Sequence, residues 1–277
     1  MKLVCGSRTL DLATPQVMGV VNVTPDSFSD GGAYFDPDAA LARVERVVAE
    51  GAAIVDIGGE STRPGAAPVS ASEELHRVIP AIERAVRLPV VVSVDTSRPE
   101  VMRAAIAAGA HMVNDVRALA APGALAAVAG TRAAVCLMHM RGSPADMQDD
   151  PRYGDVVAEV AAFLAARVAA CERAGIARER IAIDPGFGFG KTLEHNLELL
   201  RRLGTLGEAG LPVVVGLSRK RMIGAITGRP VGERLAGSVA AAVIAVLRGA
   251  CIVRAHDVAE AVDGLRIVAA VMQGENG

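Results

Sequence analysis

The stretches Gly51-Ala-Ala-Ile-Val-Asp56, Gly109-Ala-His-Met-Val-Asn114 and Gly249-Ala-Cys-Ile-Val-Arg254 share one pattern. A glycine is followed by a short apolar run, and the run ends on a polar residue. Glycine just past a helical segment suits a left-handed cap, where a Cβ would be strained. The run that follows is too short for a helix and reads as a buried strand. The polar residue then stands at the carboxyl end of that strand, and a similar run ends at Asp184.

Working outward, apolar runs recur at 17–23, 53–57, 90–94, 111–114, 133–138, 181–183, 213–216 and 251–254. Between and after them lie segments of helical period: 37–50, 73–87, 99–108, 122–129, 155–174, 193–203, 231–248 and 257–272. Eight strand–helix units with continuous apolar strands predict a parallel sheet covered by helices. The expected fold is an α/β (β/α)8 TIM barrel forming one domain over residues 1–277. A β-hairpin centred on Gly6-Ser7 precedes it and is placed to cover the bottom of the barrel. Asp36-Pro37 reads as a helix N-cap, and Ser70–Glu73 and Ser97–Glu100 have capping-box spacing.

In such a barrel, alternate strands supply the four side chains of one interior layer. The repeats fall on strands two, four and eight, and Asp184 ends strand six. Asp56, Asn114, Asp184 and Arg254 are therefore expected to form one polar layer at the top, a surface suited to a polar heterocycle. A mutually satisfied structural ion cluster is the bland alternative, and for Asp56 the two readings stand even. Other polar residues also follow strand ends: Asn22, Asp95, His139, Lys220 and His256. Barrel active sites lie at that face. The segments after strands one, two and five are long and rich in Gly, Pro, Ser and Asp, as functional loops are.

The chain has 277 residues, is 51% hydrophobic and carries a formal net charge of -2. That size buries a full core without disulfides or metals. The near-neutral charge excludes a long-range field for nucleic acid or an anionic membrane. No apolar run is long enough to span a bilayer, and no basic-then-apolar leader opens the chain. Cys5, Cys136, Cys171 and Cys251 are scattered with no CxxC pair. They read as reduced thiols of a cytoplasmic protein.

Lysine occurs only at positions 2, 191 and 220. Retaining one in Ser218-Arg219-Lys220-Arg221 points to a need for a compact ammonium. Arg254 and His256 alternate along one strand end, and together can grip a phosphate. His76, His111 and His195 read as ordinary structural residues, and catalysis by His139 is not expected. Gly186-Phe-Gly-Phe-Gly-Lys191 lacks the spacing of a phosphate-cradling loop, which excludes that reading.

Met18-Gly-Val-Val-Asn-Val-Thr-Pro-Asp-Ser-Phe-Ser-Asp30 and Asp56-Ile-Gly-Gly-Glu-Ser-Thr-Arg-Pro-Gly65 resemble the two signatures of dihydropteroate synthases. Similar segments are Ser93–Thr96, Asn114-Asp115, Met138-His139-Met140, Asp184–Lys191, Ser218–Lys220 and Arg254–Asp257. The resemblance covers nearly the whole chain. It implies condensation of 6-hydroxymethyl-7,8-dihydropterin diphosphate with 4-aminobenzoate, a transfer that forms a C–N bond in folate biosynthesis. It implies that Asn22 helps hold Mg2+ on the diphosphate. Asp95, Asn114, Asp184 and Lys220 contact the pterin, and Arg254 and His256 hold the diphosphate. Ser61, Thr62, Arg63, Pro64 and Phe28 belong to loops over the aminobenzoate pocket, which Phe189 and Ser218 line. Met138 counts among the substrate-binding residues, and Asp95, Lys220, Arg254 and His256 among the catalytic ones. A helix starting near Ser218 is expected to aim N–H groups at the aminobenzoate carboxylate. The family implies a homodimer, formed through helices of the C-terminal half.

On this reading, Arg254→Ala weakens diphosphate binding and spares a pterin lacking that group. The sequence departs from some members of the family at Arg221, where they carry a serine. A pterin-binding protein without synthase activity would not need Asn22, Arg254 and His256. A methyltetrahydrofolate-binding methyltransferase domain would not need the loops at 24–36 and 58–72. A Schiff-base aldolase using Lys220 would require a depressed lysine pKa, which sequence does not show.

Overall fold

The computed structural model describes residues 1–23, 37–60, 69–143, 147 and 149–274. A hairpin comes first, formed by β1 (Lys2–Cys5) and β2 (Arg8–Asp11), paired antiparallel. The barrel strands are β3 (Gln16–Asn22), β4 (Ile54–Gly58), β5 (Val91–Asp95), β6 (Met112–Asp115), β7 (Ala134–Met138), β8 (Ile181–Asp184), β9 (Val214–Val215) and β10 (Ile252–Ala255). They are parallel, in the order β8-β7-β6-β5-β4-β3-β10-β9. A parallel bridge between Ile183 and Val213 joins the two ends of the sheet. The expected eight-stranded barrel and its hairpin are both present.

Helices cover the outside: α1 (Pro37–Ala49), α2 (Ala71–Ala85), α3 (Pro99–Ala107), α4 (Ala124–Ala129), α5 (Val156–Arg173), α6 (Leu193–Arg201), α7 (Gly204–Gly207), α8 (Arg221–Thr227), α9 (Leu235–Leu247) and α10 (Val258–Gly274). Gly51, Gly109 and Gly249 have φ of +98°, +102° and +100°, so the repeat's glycines do serve positive-φ positions before strands.

The hairpin plugs the barrel floor. Leu3, Cys5 and Leu12 pack with Met18, Ile54, Val91, Met112, Ala134, Ala182, Val214 and Ile252, which come from all eight strands. A barrel open at the bottom would leave these residues against water, so burial of the hairpin's apolar face stabilises both parts. His111 sits at this end, where its Nδ1 accepts the Val92 N–H. It is a structural histidine, as is His195, whose ring completes a capping box with Thr192 at the start of α6.

Three local expectations are corrected. Ser97 does not cap α3. Arg98 is the N-cap and makes no side-chain cap bond, while the Ser97 hydroxyl donates to Asp115 Oδ1 at 2.5 Å. The buried Asp115 carboxylate also accepts the N–H groups of Arg117 and Leu119, and so competes successfully for that hydroxyl. The helix expected at 231–248 is divided into a 3-10 turn, Val231–Glu233, and α9. The additional helix α8 precedes them. Strand seven, expected over 213–216, is only two residues long, Val214–Val215, with Val213 joined to Ile183 by an isolated bridge. Ser70 does cap α2, accepting the Glu73 N–H at 3.1 Å. Asp36 lies outside the described residues.

Candidate active site

At the carboxyl end of the barrel the layer read from the repeat is assembled. Asn114 Nδ2 donates to Asp56 Oδ2 at 3.0 Å. Arg254 Nε donates to the same oxygen at 2.7 Å, and its second nitrogen donates to Asp95 Oδ2 at 2.8 Å. Asp184 closes the layer: its Oδ1 accepts the Gly186 N–H at 2.7 Å, and the carboxylate feels both Lys220 and Arg254. The remaining oxygen of Asp56 is buried without a protein partner among the described residues, as is Ser93 Oγ.

Asp95 stands one layer higher. Gly58 separates it from Asn22: a Cβ built at Gly58 would lie 3.7 Å from Asp95 Oδ2 and 3.9 Å from Asn22 Oδ1. Asn22 and Asp95 thus open onto the same mouth, and a side chain at position 58 would narrow the space between them.

Burial sets the electrostatics. Desolvation pushes Asp184 up to about 6, against the pull of the Gly186 N–H and of Lys220 and Arg254. It raises Asp95 as well, with Arg254 opposing. Lys220 is drawn down to about 8 by burial and then by the Arg254 charge. Burial opposes the charge of Arg254, but Asp56 and Asp95 hold the guanidinium firmly protonated. Three carboxylates and two cations thus face one small volume. Acceptor oxygens and cationic donors side by side suit a ligand carrying both N–H donors and negative groups.

The other expected residues fall into three groups. Lys220 lies on the face of the Phe189 ring, its Nζ 4.1 Å from the centroid. Phe189 packs in a cluster with Val116, Met138 and Met147, so Met138 joins the wall of the same mouth. Ser218 and His256 form a second pair: the Ser218 hydroxyl accepts the His256 backbone N–H at 3.2 Å and lies 3.1 Å from its Nδ1. Arg254 and His256 therefore engage different partners, the first inside the barrel and the second at its rim. Phe28, Ser61, Thr62, Arg63 and Pro64 lie outside the described residues.

One expectation about the rim is corrected. The helix expected near Ser218 begins at Arg221, because Ser218 is engaged by His256 and Arg219 has a φ of +59°. Arg221 is exposed. The turn before α8 is instead held from α9, where Ser238 Oγ accepts the Arg219 N–H and Arg234 donates to the Arg219 carbonyl. The missed feature of the mouth is the Lys191–His139 pair. Lys191 Nζ donates to His139 Nδ1 at 3.0 Å in a buried position, and burial with the lysine charge brings the imidazole down to about 3. His139 is thus held in a buried contact with Lys191. The scarcity of lysine was the signal that could have drawn attention to Lys191.

Known proteins resemble this chain in sequence and fold. Residues 18–256 match the model of the family described as pterin binding enzyme. The dihydropteroate synthase of Escherichia coli strain K12 is 52% identical over 276 residues, covering 99% of this chain and 98% of its own. A structure of the Xanthomonas albilineans dihydropteroate synthase with 4-aminobenzoic acid superposes with a TM-score of 0.92 at 56% identity, covering 98% of both chains. Another from that organism, in complex with 7,8-dihydropteroate, gives a TM-score of 0.90 at 53% identity, covering 98% of this chain and 99% of that one. With the barrel, the carboxylate layer and these likenesses taken together, the chain belongs to the pterin binding enzyme family and, within it, to the dihydropteroate synthases.

Proposed function

We propose that the mouth of this barrel joins 6-hydroxymethyl-7,8-dihydropterin diphosphate to 4-aminobenzoate, releasing diphosphate and 7,8-dihydropteroate. The observation that carries this reading is the buried set Asp56, Asn114, Asp184 and Arg254, with Asp95 and Lys220 above it. Asp184 and Asn114 offer an acceptor carboxylate and an amide, the pair that reads the donor and acceptor edge of a pterin. Lys220 donates from the opposite side. The C–O bond from the pterin methylene to the diphosphate breaks, and the electron pair leaves with the diphosphate. Arg254 and His256 face that departing charge. Asp95 stabilises the cationic methylene left behind. The weakly basic aromatic amine then forms the C–N bond, and its proton passes to the released diphosphate or to water, with no strong base required.

Asn22 fits a role in holding Mg2+. Among the described residues no cluster of three acidic, histidine or cysteine side chains could hold a metal. Mg2+ commonly binds through one or two protein oxygens, with water and substrate phosphates completing its shell, and the Asn22 amide oxygen beside Asp95 suits that mode. Bound there, Mg2+ supplies positive charge that eases departure of the diphosphate. Ser61, Thr62, Arg63, Pro64 and Phe28 are proposed to close over the aminobenzoate, with Phe189 and Ser218 on the fixed wall.

A homodimer is proposed through α9 and α10. Leu235, Ile244 and Leu247 of α9, with Ile267 and Val271 of α10, are large apolar residues left exposed. Large exposed apolar residues on two helices that pack together suit an association surface. Leu247→Asp combined with Val271→Asp is expected to give a monomer in sedimentation velocity; an unchanged mass places the interface elsewhere. A cytoplasmic location is supported by four free thiols, Cys5, Cys136, Cys171 and Cys251. Among the described residues no helix is long and apolar enough to cross a membrane.

The functional reading is tested by incubating the protein with pterin diphosphate, 4-aminobenzoate and Mg2+ and weighing the product. The expected mass is that of 7,8-dihydropteroate, with diphosphate in equal amount. Binding of both substrates without product would favour a pterin-binding protein lacking synthase activity.

A further inference from the structure

Lys191 is 3% exposed and takes no part in the reaction described above. Its Nζ donates to the Gly186 carbonyl at 2.9 Å, to the Phe189 carbonyl at 2.9 Å and to His139 Nδ1 at 3.0 Å. An ammonium has three donors, and all three are used. The arrangement requires a compact tetrahedral donor. A planar guanidinium could not reach two carbonyls of one turn and an imidazole behind it. Burial draws this ammonium down to about 7, and the acceptors around it favour the charged form.

The turn these bonds gather is docked closely. A Cβ at Gly186 would lie 1.9 Å from the His139 carbonyl oxygen, and one at Gly190 would lie 2.3 Å from the Arg141 carbonyl oxygen. Asn196 Oδ1 accepts the Gly188 N–H at 2.7 Å, and the Tyr153 hydroxyl donates to the Gly190 carbonyl at 2.8 Å. His139 is itself fixed by the Phe163 ring, edge-on at 4.9 Å. The output of the turn is Phe189, whose ring faces the Lys220 ammonium.

We propose that Lys191 is a positioning residue for the second substrate: its ammonium ties the Gly186 and Phe189 carbonyls to His139, and so sets the Phe189 ring as the wall against which 4-aminobenzoate binds. The proposal rests on the functional reading above. It also explains a lysine following a glycine-rich turn that lacks the spacing of a phosphate-cradling loop, since the ammonium points into the turn and is spent there.

Steady-state kinetics on the full chain tests it. Lys191→Met keeps the alkyl stem and removes the donors. The expected result is a KM for 4-aminobenzoate raised about tenfold or more, with the KM for pterin diphosphate within about threefold of wild type. Lys191→Gln, which keeps two N–H donors, is expected to fall between. A purely structural lysine would lower kcat in step with the folded fraction seen in thermal melts, leaving both KM values unchanged; that result overturns the proposal. If Lys191→Met does not fold, Lys191→Gln decides by the same criterion. Fluorine NMR of 4-fluorophenylalanine-labelled protein gives a readout independent of turnover. The Phe189 resonance, identified by its loss in Phe189→Leu, is expected to move in the Lys191 variants, and an unmoved resonance also overturns the proposal. Wild-type protein that makes no dihydropteroate sinks the functional reading itself, which the control detects before any variant is compared.

Discussion

Arg254→Ala is expected to lower kcat/KM by about a thousandfold or more and to cost the fold about 3–5 kcal/mol. The stability loss follows from the geometry. The guanidinium donates to Asp56 at 2.7 Å and to Asp95 at 2.8 Å, and Asp56 is wholly buried. Its removal strands two carboxylates in the barrel, and an uncompensated buried charge is costlier than the net worth of the pair that held it. This changes the expectation drawn from sequence that loss of Arg254 spares a bare pterin. Because the same side chain holds Asp95 and Asp56, the variant is expected to weaken binding of pterin with and without diphosphate. Denaturant melts and calorimetry with both ligands check this. Asp56→Asn added to Arg254→Ala is expected to recover part of the lost stability. A single variant that melts like wild type would show that the ion network does not carry the fold.

Asp184→Asn is expected to cost about 2–4 kcal/mol of pterin affinity, because an acceptor facing ligand N–H groups becomes a partial donor. The pH dependence has a definite sign. The folded carboxyl is raised to about 6 by burial, so the pterin-binding anion is fully present well above that value. Affinity is expected to be flat at higher pH and to fall about tenfold per unit below pH ~6. Stability of the empty protein runs the other way for this group. A carboxyl raised from its ordinary value near ~4 binds its proton more tightly in the native state, so its contribution falls as pH rises between ~4 and ~6. Asp184→Asn removes that cost. Its melting temperature relative to wild type is expected to climb across the same window. Calorimetry and melts over pH 5 to 8 would expose a flat affinity profile, which would remove Asp184 from the pterin site.

The barrel was legible because its signal is repeated. Glycine, short apolar run and polar terminus recur on strands two, four and eight, and a side-chain period of two then puts Asp56, Asn114 and Arg254 on the inside. The same logic brought in Asp184. What escaped was non-local. Ser97 has the spacing of a capping residue, but Asp115, eighteen positions away, takes its hydroxyl. A helix was expected to start near Ser218; it begins at Arg221, and the Ser218 hydroxyl is engaged by His256, thirty-eight positions away. The division of the segment at 231–248 depends on Arg234, which donates to the Arg219, Lys220 and Arg229 carbonyls. Lys191 was missed for a related reason. Its partners are carbonyls of its own turn and a histidine fifty-two positions away, and main-chain acceptors leave no trace in side-chain pattern.

The most direct test of the account is a crystal structure of this protein with 7,8-dihydropteroate bound. The account predicts the pterin ring inside the barrel mouth, its edge hydrogen-bonded to Asp184 and Asn114, Lys220 on its flank and the aminobenzoate ring against Phe189. A pterin ring seated anywhere else, with Asp184 and Asn114 free of ligand, would contradict it.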